Sequence, residues 1–117
     1  MHRDMKEQIR ELIRSDSVNK ELNTAHQNRH FRNSEDYIKG RSYFFDDVDP
    51  EALIRQYHGT GEIRLSESGN WINKEFITLS VDIAIHIEQA TGLQTATNSF
   101  AIHYSKKGAH LVPSRRQ

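Results

Sequence analysis

The sequence predicts an α+β fold, with N-terminal helices packed on one face of an antiparallel β-meander of four to five strands. Three observations carry this. Apolar residues recur at helical spacing near the start, at Met5, Ile9, Leu12 and Ile13. From Gly61 onward the period changes to two, most cleanly where Val81, Ile83, Ile85 and Ile87 alternate with Asp82, Ala84, His86 and Glu88. The helical patterns all precede the strand patterns, an order that packs helices against a sheet.

The first helix ends near Ser15-Asp16-Ser17, and a weaker helical stretch is expected from Val18 to Ala25. His26 to Ser34 is polar, basic and without periodicity, so it reads as a loop. The clearest helix starts at Asp49, a good N-cap followed by Pro50 at the first helical position and Glu51 at the positive end of the dipole. His58-Gly59 stops it, with Gly59 as a left-handed cap. Strands are expected at Glu62–Leu65, Trp71–Leu79, Val81–Glu88, Thr95–Ser105 and Ala109–Pro113, the last an edge strand because Pro113 lacks an amide hydrogen.

With 117 residues, of which 35% are hydrophobic and 27% charged, the chain can bury one modest core beneath a large polar surface. A net charge of zero argues against disorder. The absence of cysteine excludes disulfides, a thiolate nucleophile and a cysteine zinc site. No apolar run approaches the roughly 18 residues of a membrane helix, and the N-terminus lacks a leader-like apolar segment, so a soluble chain is expected. The charge is unevenly placed. Six carboxylates fall between Glu35 and Glu51, whereas no acidic residue follows Glu88 and the remaining stretch holds Lys106, Lys107, Arg115 and Arg116. A basic end on a neutral chain suits a local anion site, or a solvated tail, better than a broad nucleic-acid field.

The residues able to do chemistry lie in that end. In Phe100-Ala101-Ile102-His103-Tyr104-Ser105-Lys106, the apolar Phe100, Ile102 and Tyr104 share one face, and Ser99, Ala101, His103 and Ser105 share the other. If the turn is Lys107-Gly108, His103 and His110 are diagonal neighbours on one face, at roughly 7–8 Å. If Lys106-Lys107-Gly108 forms the loop, His110 moves to the opposite face. Two histidines beside a lysine would suit RNA cleavage. A neutral imidazole takes the ribose 2′-OH proton, a charged one protonates the leaving 5′ oxygen, and a cation steadies the phosphorane-like transition state. The nucleophile is internal to the substrate, so no metal or other cofactor is called for. On pattern alone, ordinary surface histidines of a strand account for the same residues.

His26 and His30 stand four apart, which on a helix would place both on one side as zinc ligands. No glutamate separates them in the metalloprotease pattern, and the stretch does not read as a helix, so no metal site is expected. Gly59-Thr60-Gly61 reads as a helix cap and tight turn, or as a place where backbone approaches a phosphate. Lys74 and Glu75 are adjacent on a strand, so one of them points towards the helices or a site.

An ordered series of segments carries a resemblance. They are His26-Gln27-Asn28-Arg29-His30, Tyr37-Ile38-Lys39-Gly40-Arg41-Ser42-Tyr43, Gly59-Thr60-Gly61-Glu62-Ile63, Asn73-Lys74-Glu75, Thr97-Asn98, and Ile102 through Pro113. In these the chain resembles the polymorphic toxin type 50 domain (bacterial toxin 50), found at the C-termini of bacterial toxins and of some phage head-morphogenesis proteins. The resemblance covers most of the chain after about Asn23. It divides the sequence into an N-terminal helical segment or linker end over 1–24 and a toxin-type domain over 25–117. It departs from the expected pattern at Phe31-Arg32-Asn33-Ser34, where a Gly-Thr turn would follow His30.

The resemblance implies a ribonuclease-like activity on a fold of the barnase–EndoU–colicin–RelE group. It places His30, Arg41, Lys74, His103, Ser105, Lys106 and His110 among the functional positions. On that basis His103 and His110 form the acid–base pair, with Lys106 and His30 beside them as catalytic candidates. Arg41, Thr60, Lys74, Tyr104, Ser105 and Lys107 are candidates for binding substrate. The implied partners are an RNA substrate and a cognate immunity protein. The implied setting is the bacterial cytoplasm, reached as the C-terminal module of a larger exported or phage protein. The alternative is a non-enzymatic phage head or assembly accessory that binds protein or nucleic acid.

Overall fold

A computed structural model describes residues 4–117; the first three residues of the 1–24 segment lie outside it. The first helix, α1 (Met5–Arg14), starts at Asp4, whose carboxylate accepts the Lys6 amide at 3.1 Å. Glu7 in its first turn and Arg14 in its last suit the helix dipole. The helix is not an appendage. Ile13 is fully buried, the Arg10 Nε donates to the Gly61 carbonyl at 2.7 Å, and Arg14 donates to the Gly59 carbonyl at 2.5 Å.

The expected helix over Val18–Ala25 and the loop from His26 are both displaced. A single turn, α2 (Thr24–Gln27), runs into a 3-10 turn over Asn28–His30. Asn23 sets its start by accepting the His26 amide on Oδ1 at 3.2 Å. Residues 21–23 do not coil, because their backbone is used elsewhere, as described below. A two-residue strand, β1 (Tyr43–Phe44), was not signalled by periodicity. Helix α3 (Pro50–Tyr57) forms where expected, with the Asp49 carboxylate accepting the Ala52 amide at 3.2 Å and Gly59 left-handed at φ 77°.

The remaining strands are β2 (Glu62–Leu65), β3 (Trp71–Thr78), β4 (Ala84–Ile87), β5 (Gln94–Thr97), β6 (Ser99–Ser105) and β7 (Gly108–Ser114). The fold is α+β, with antiparallel strands and an N-terminal helix on a sheet, as the period change implied. The strands divide into two sheets, ordered β2-β3-β6-β7 and β1-β4-β5. The division falls inside the run Thr95–Ser105. At Asn98 the chain leaves one sheet for the other, and the Asn98 amide holds the corner by donating to the Leu79 carbonyl at 3.0 Å.

The four-stranded sheet has a core face and an open face. Ile63, Ile77, Phe100, Ile102 and Leu111 are buried on the first, with Ile13 of α1, Ile54 of α3 and Phe44 of β1 packed over them. Enclosing these side chains supplies most of the drive to fold, at about 25 cal/mol per Å² of apolar surface removed from water. The outer edge of β7 is sealed by residues 21–23 and by Gln27. Ala109 donates to the Glu21 carbonyl at 2.7 Å, and Asn23 donates to the Ala109 carbonyl at 2.8 Å. The Gln27 amide pairs with both backbone groups of Leu111, at 3.1 and 2.6 Å. This removes an exposed strand edge and pins α2 beside β7. No helix among the described residues is long and apolar enough to cross a membrane.

Candidate active site

The open face carries a row of three residues from three adjacent strands. Lys74 of β3 is the register partner of His103 on β6, and His103 is the register partner of His110 on β7. The two histidines are therefore directly opposite, with ring centroids 5.0 Å apart. Neither expected turn register is observed. Ser105 pairs with Gly108, and Lys106-Lys107 alone forms the tip. The reason is a long-range contact. Gly108 sits at φ 122°, and a side chain there would run into the backbone of Glu21, whose carbonyl receives the Ala109 amide.

Two more histidines converge on His110. His26, from α2, meets it edge to face with centroids 5.1 Å apart, and His30 is stacked on it at 6.5 Å with planes 9° apart. A single helical turn places this pair on one side, and the Gln27 anchor brings that side to β7. His30 Nδ1 lies 2.9 Å from the Ser42 carbonyl. A carbonyl only accepts, so Nδ1 carries the hydrogen and Nε2 of the neutral ring keeps a lone pair. The sequence offers no role for His26 beyond that of a metal ligand or a place in the resembling segment His26–His30. Its signal was the spacing to His30, hidden because one turn of helix has no periodicity to read. Among the described residues no group of three His, Cys, Asp or Glu is arranged to hold a metal ion.

The electrostatics of the cluster are one-sided. Burial lowers the pKa of His103 to about 3, helped by the neighbouring His110, Lys74 and His30. Burial likewise lowers that of His110 to about 4, helped by His26, His30 and Arg29. His30 is lowered by burial, against the opposing Ser42 bond, with Arg41 and Arg29 adding to the effect. The site is half-closed and cationic in its surroundings, and its His30, His103 and His110 rings are held neutral at neutral pH. An anion placed there would reverse the balance and favour their charged forms.

Other candidates are dispersed. Arg41 is exposed but near enough to act on His30, as is Arg29, which sequence reasoning passed over. Lys106 and Lys107 are exposed at the tip of the turn, and the Ser105 hydroxyl accepts the Lys107 amide at 3.2 Å. Tyr104, expected to serve the substrate, faces the other way: its hydroxyl donates to the buried Glu75. Thr60 is also apart. Its hydroxyl donates to the Tyr57 carbonyl at 2.6 Å, and it lines a cleft of about 610 Å³ with Phe76, Thr78 and His86 but none of the histidines in the row.

The Gly59-Thr60-Gly61 turn is no phosphate cradle. Its two glycine amides donate to the Glu75 carboxylate at 2.9 and 3.0 Å, and its two glycine carbonyls accept from Arg14 and Arg10. Burial raises the Tyr104 pKa, as does the adjoining carboxylate, so its hydroxyl keeps its hydrogen and donates it. Glu75, fully buried, is thereby a structural brace.

A cleft of about 1190 Å³ lies around the end of the sheet from the histidine row, between the loop after α1, the helix α3 and the start of β3. A search of the curated proteins finds no match. The model of one family, described as bacterial toxin 50, matches residues 22–113. That span includes the whole Lys74–His103–His110 row and both helical histidines, and by it the chain belongs to the bacterial toxin 50 family.

Proposed function

We propose that this toxin domain is an endoribonuclease that cleaves RNA through attack of the ribose 2′-OH on the adjoining phosphorus. The observation that supports it is the row of two facing histidines and a lysine on the open face of the four-stranded sheet. In this reading His103, the more strongly held in its neutral form, accepts the 2′-OH proton as the 2′ oxygen bonds to phosphorus. His110 gives its proton to the departing 5′ oxygen, leaving a 2′,3′-cyclic phosphate. Lys74 stands beside the non-bridging oxygens, with Arg41 and Arg29 on the approach. His26 and His30 position the His110 ring. The general acid has to be charged, and the bound phosphodiester supplies the negative charge that raises its pKa from the low value in the free protein.

RNA in the bacterial cytoplasm is the target under this reading. A cell that makes the toxin would need a cognate immunity protein to cover the row. The test uses purified protein, a 5′-labelled oligoribonucleotide and a chelator. The expected result is fragments ending in cyclic phosphate, and none when a single 2′-deoxy residue replaces the cleaved position. Cleavage that ignores the 2′-deoxy substitution, or RNA left whole by folded protein, would overturn the reading. In the second case the assembly role would be the next to examine.

A further inference from the structure

The cleft of about 1190 Å³ adjoins the proposed cleavage site through two pieces of chain. Asn73 lines it, and the next residue, Lys74, belongs to the histidine row. Ser105, at the end of the strand that carries His103, lines it too, as does Lys106 at the start of the turn. The indole of Trp71, the only tryptophan in the sequence, forms part of its wall. That indole is fixed in place. Its Nε1 donates to the Lys74 carbonyl at 2.8 Å, and its ring leans on Tyr104 with centroids 5.8 Å apart. The backbone of the lysine that faces His103 therefore orients the aromatic wall of the cleft.

Asn73 adds a second, independent feature. It is the only non-glycine residue with positive φ among the described residues, at φ 63°, and its exposed side-chain amide has no hydrogen-bond partner among them. Asparagine tolerates this left-handed conformation better than other non-glycine residues, and here it falls where the β2–β3 register shifts, at the border of the cleft. An amide carries both a donor and an acceptor, as the edge of a nucleobase does. The charges around the cleft are mixed. Arg55 and Lys106 stand with Asp16, Glu21 and Glu51. The Lys20 ammonium is already occupied by the carbonyls of Ile13, Ser15 and Val18. A mixed rim suits an uncharged, polar-edged, flat ligand and not a run of phosphates. A flat ligand gains from stacking on an aromatic wall.

We infer that this cleft is the base subsite of the enzyme, in which a nucleobase flanking the scissile phosphate stacks on Trp71 and is read by the Asn73 amide. The inference rests on the ribonuclease reading for the identity of its ligand, and it is tested without cleavage. The single tryptophan reports directly on the cleft. Nucleosides carrying each of the four bases are titrated into the intact protein while Trp71 fluorescence is followed, with ribose 5-phosphate and inorganic phosphate as controls. At least one nucleoside is expected to quench saturably, and the two controls are expected not to.

Asn73→Gly removes the amide while keeping a residue at ease with positive φ, so the fold is retained. It should weaken binding of the preferred base by about tenfold, the loss of one hydrogen-bonded contact worth about 1.4 kcal/mol. If no nucleoside quenches Trp71, or if the controls quench equally, the base subsite is wrong even where RNA is cut. Quenching unchanged in the folded Asn73→Gly protein overturns the role of Asn73. Saturable, Asn73-dependent quenching in a protein that leaves RNA whole supports the subsite and sinks the ribonuclease.

Discussion

Lys74 and Glu75 are chain neighbours on opposite faces of one sheet, and so are His103 and Tyr104. On the core face, Glu75 is fully enclosed, yet two glycine amides and the Tyr104 hydroxyl are bonded to its oxygens. On the open face, His103 and His110 are only partly enclosed, but burial and nearby cations act on them together. One face buries a charge and satisfies it. The other holds titratable groups short of the charge that would stabilise their ionised forms. The first arrangement fixes a structure, and the second waits for an anion. Strand alternation is enough to produce both from the same two pairs of adjacent residues.

The most severe way to break this comparison is on the core face. Glu75→Ala leaves two amides and a phenol without their acceptor in a closed site. At about 1–3 kcal/mol for each orphaned donor, the expected loss is on the order of 3–5 kcal/mol, much of the stability of a domain this size. Chemical denaturation measures it. A loss under about 1 kcal/mol would mean that Glu75 is not the brace its contacts imply.

On the open face the expected effect is on rate and not on fold. His103→Ala and His110→Ala should each lower kcat/KM for RNA cleavage by about 10²–10⁴. Stability should stay within about 0.5 kcal/mol, because neither ring anchors the backbone. Matching losses of stability and activity would make these histidines part of the scaffold and erase the contrast between the faces.

Gln27 joins the two regimes. It is buried and fully paired like Glu75, yet it carries the turn that brings His26 and His30 to His110. Gln27→Ala leaves the Leu111 amide and carbonyl unpaired, which should cost about 2–3 kcal/mol. Cleavage by the folded fraction should fall several-fold, since the ring stacked on His110 loses its support. Lost stability with cleavage unchanged would show that the two helical histidines do not position the site.

Much of the scaffold was legible because it is local. Asp49-Pro50 caps and starts α3, Glu62–Leu65 alternates, and Met5 to Ile13 keeps helical spacing. The histidine row was half legible. The alternation around His103 gave its face, but the turn register depends on Glu21 lying against Gly108, a contact between residues far apart in sequence. The convergence of His26 and His30 on His110 depends on Gln27 reaching Leu111, and no short-range pattern announces that. Tyr104 is a substrate candidate only through the resemblance, and alternation already puts it on the face opposite His103. The partner that claims its hydroxyl, Glu75, lies on a different strand.

The smallest effect expected is on the pH dependence of stability, and it separates the faces without touching RNA. A histidine whose folded pKa lies below its ordinary 6.5 binds a proton more readily when unfolded. The unfolded state therefore holds more protons between about pH 6.5 and pH 4, and stability rises with pH across that window. The stability that the neutral rings contribute is fully present above pH 6.5 and is lost as pH falls towards about 4 for His110 and about 3 for His103. Carboxylates titrate in part of the same range, among them Glu7 and Glu88, each held below its ordinary pKa first by hydrogen bonding to arginine. They are common to the wild type and to a His103→Ala/His110→Ala double variant. The difference between the two Tm curves isolates the histidines. The wild type should lose about 5 °C more than the double variant on going from pH 7 to pH 4.5. Parallel curves would mean that the rings titrate normally in the fold, and that the open face has no unmet demand for an anion.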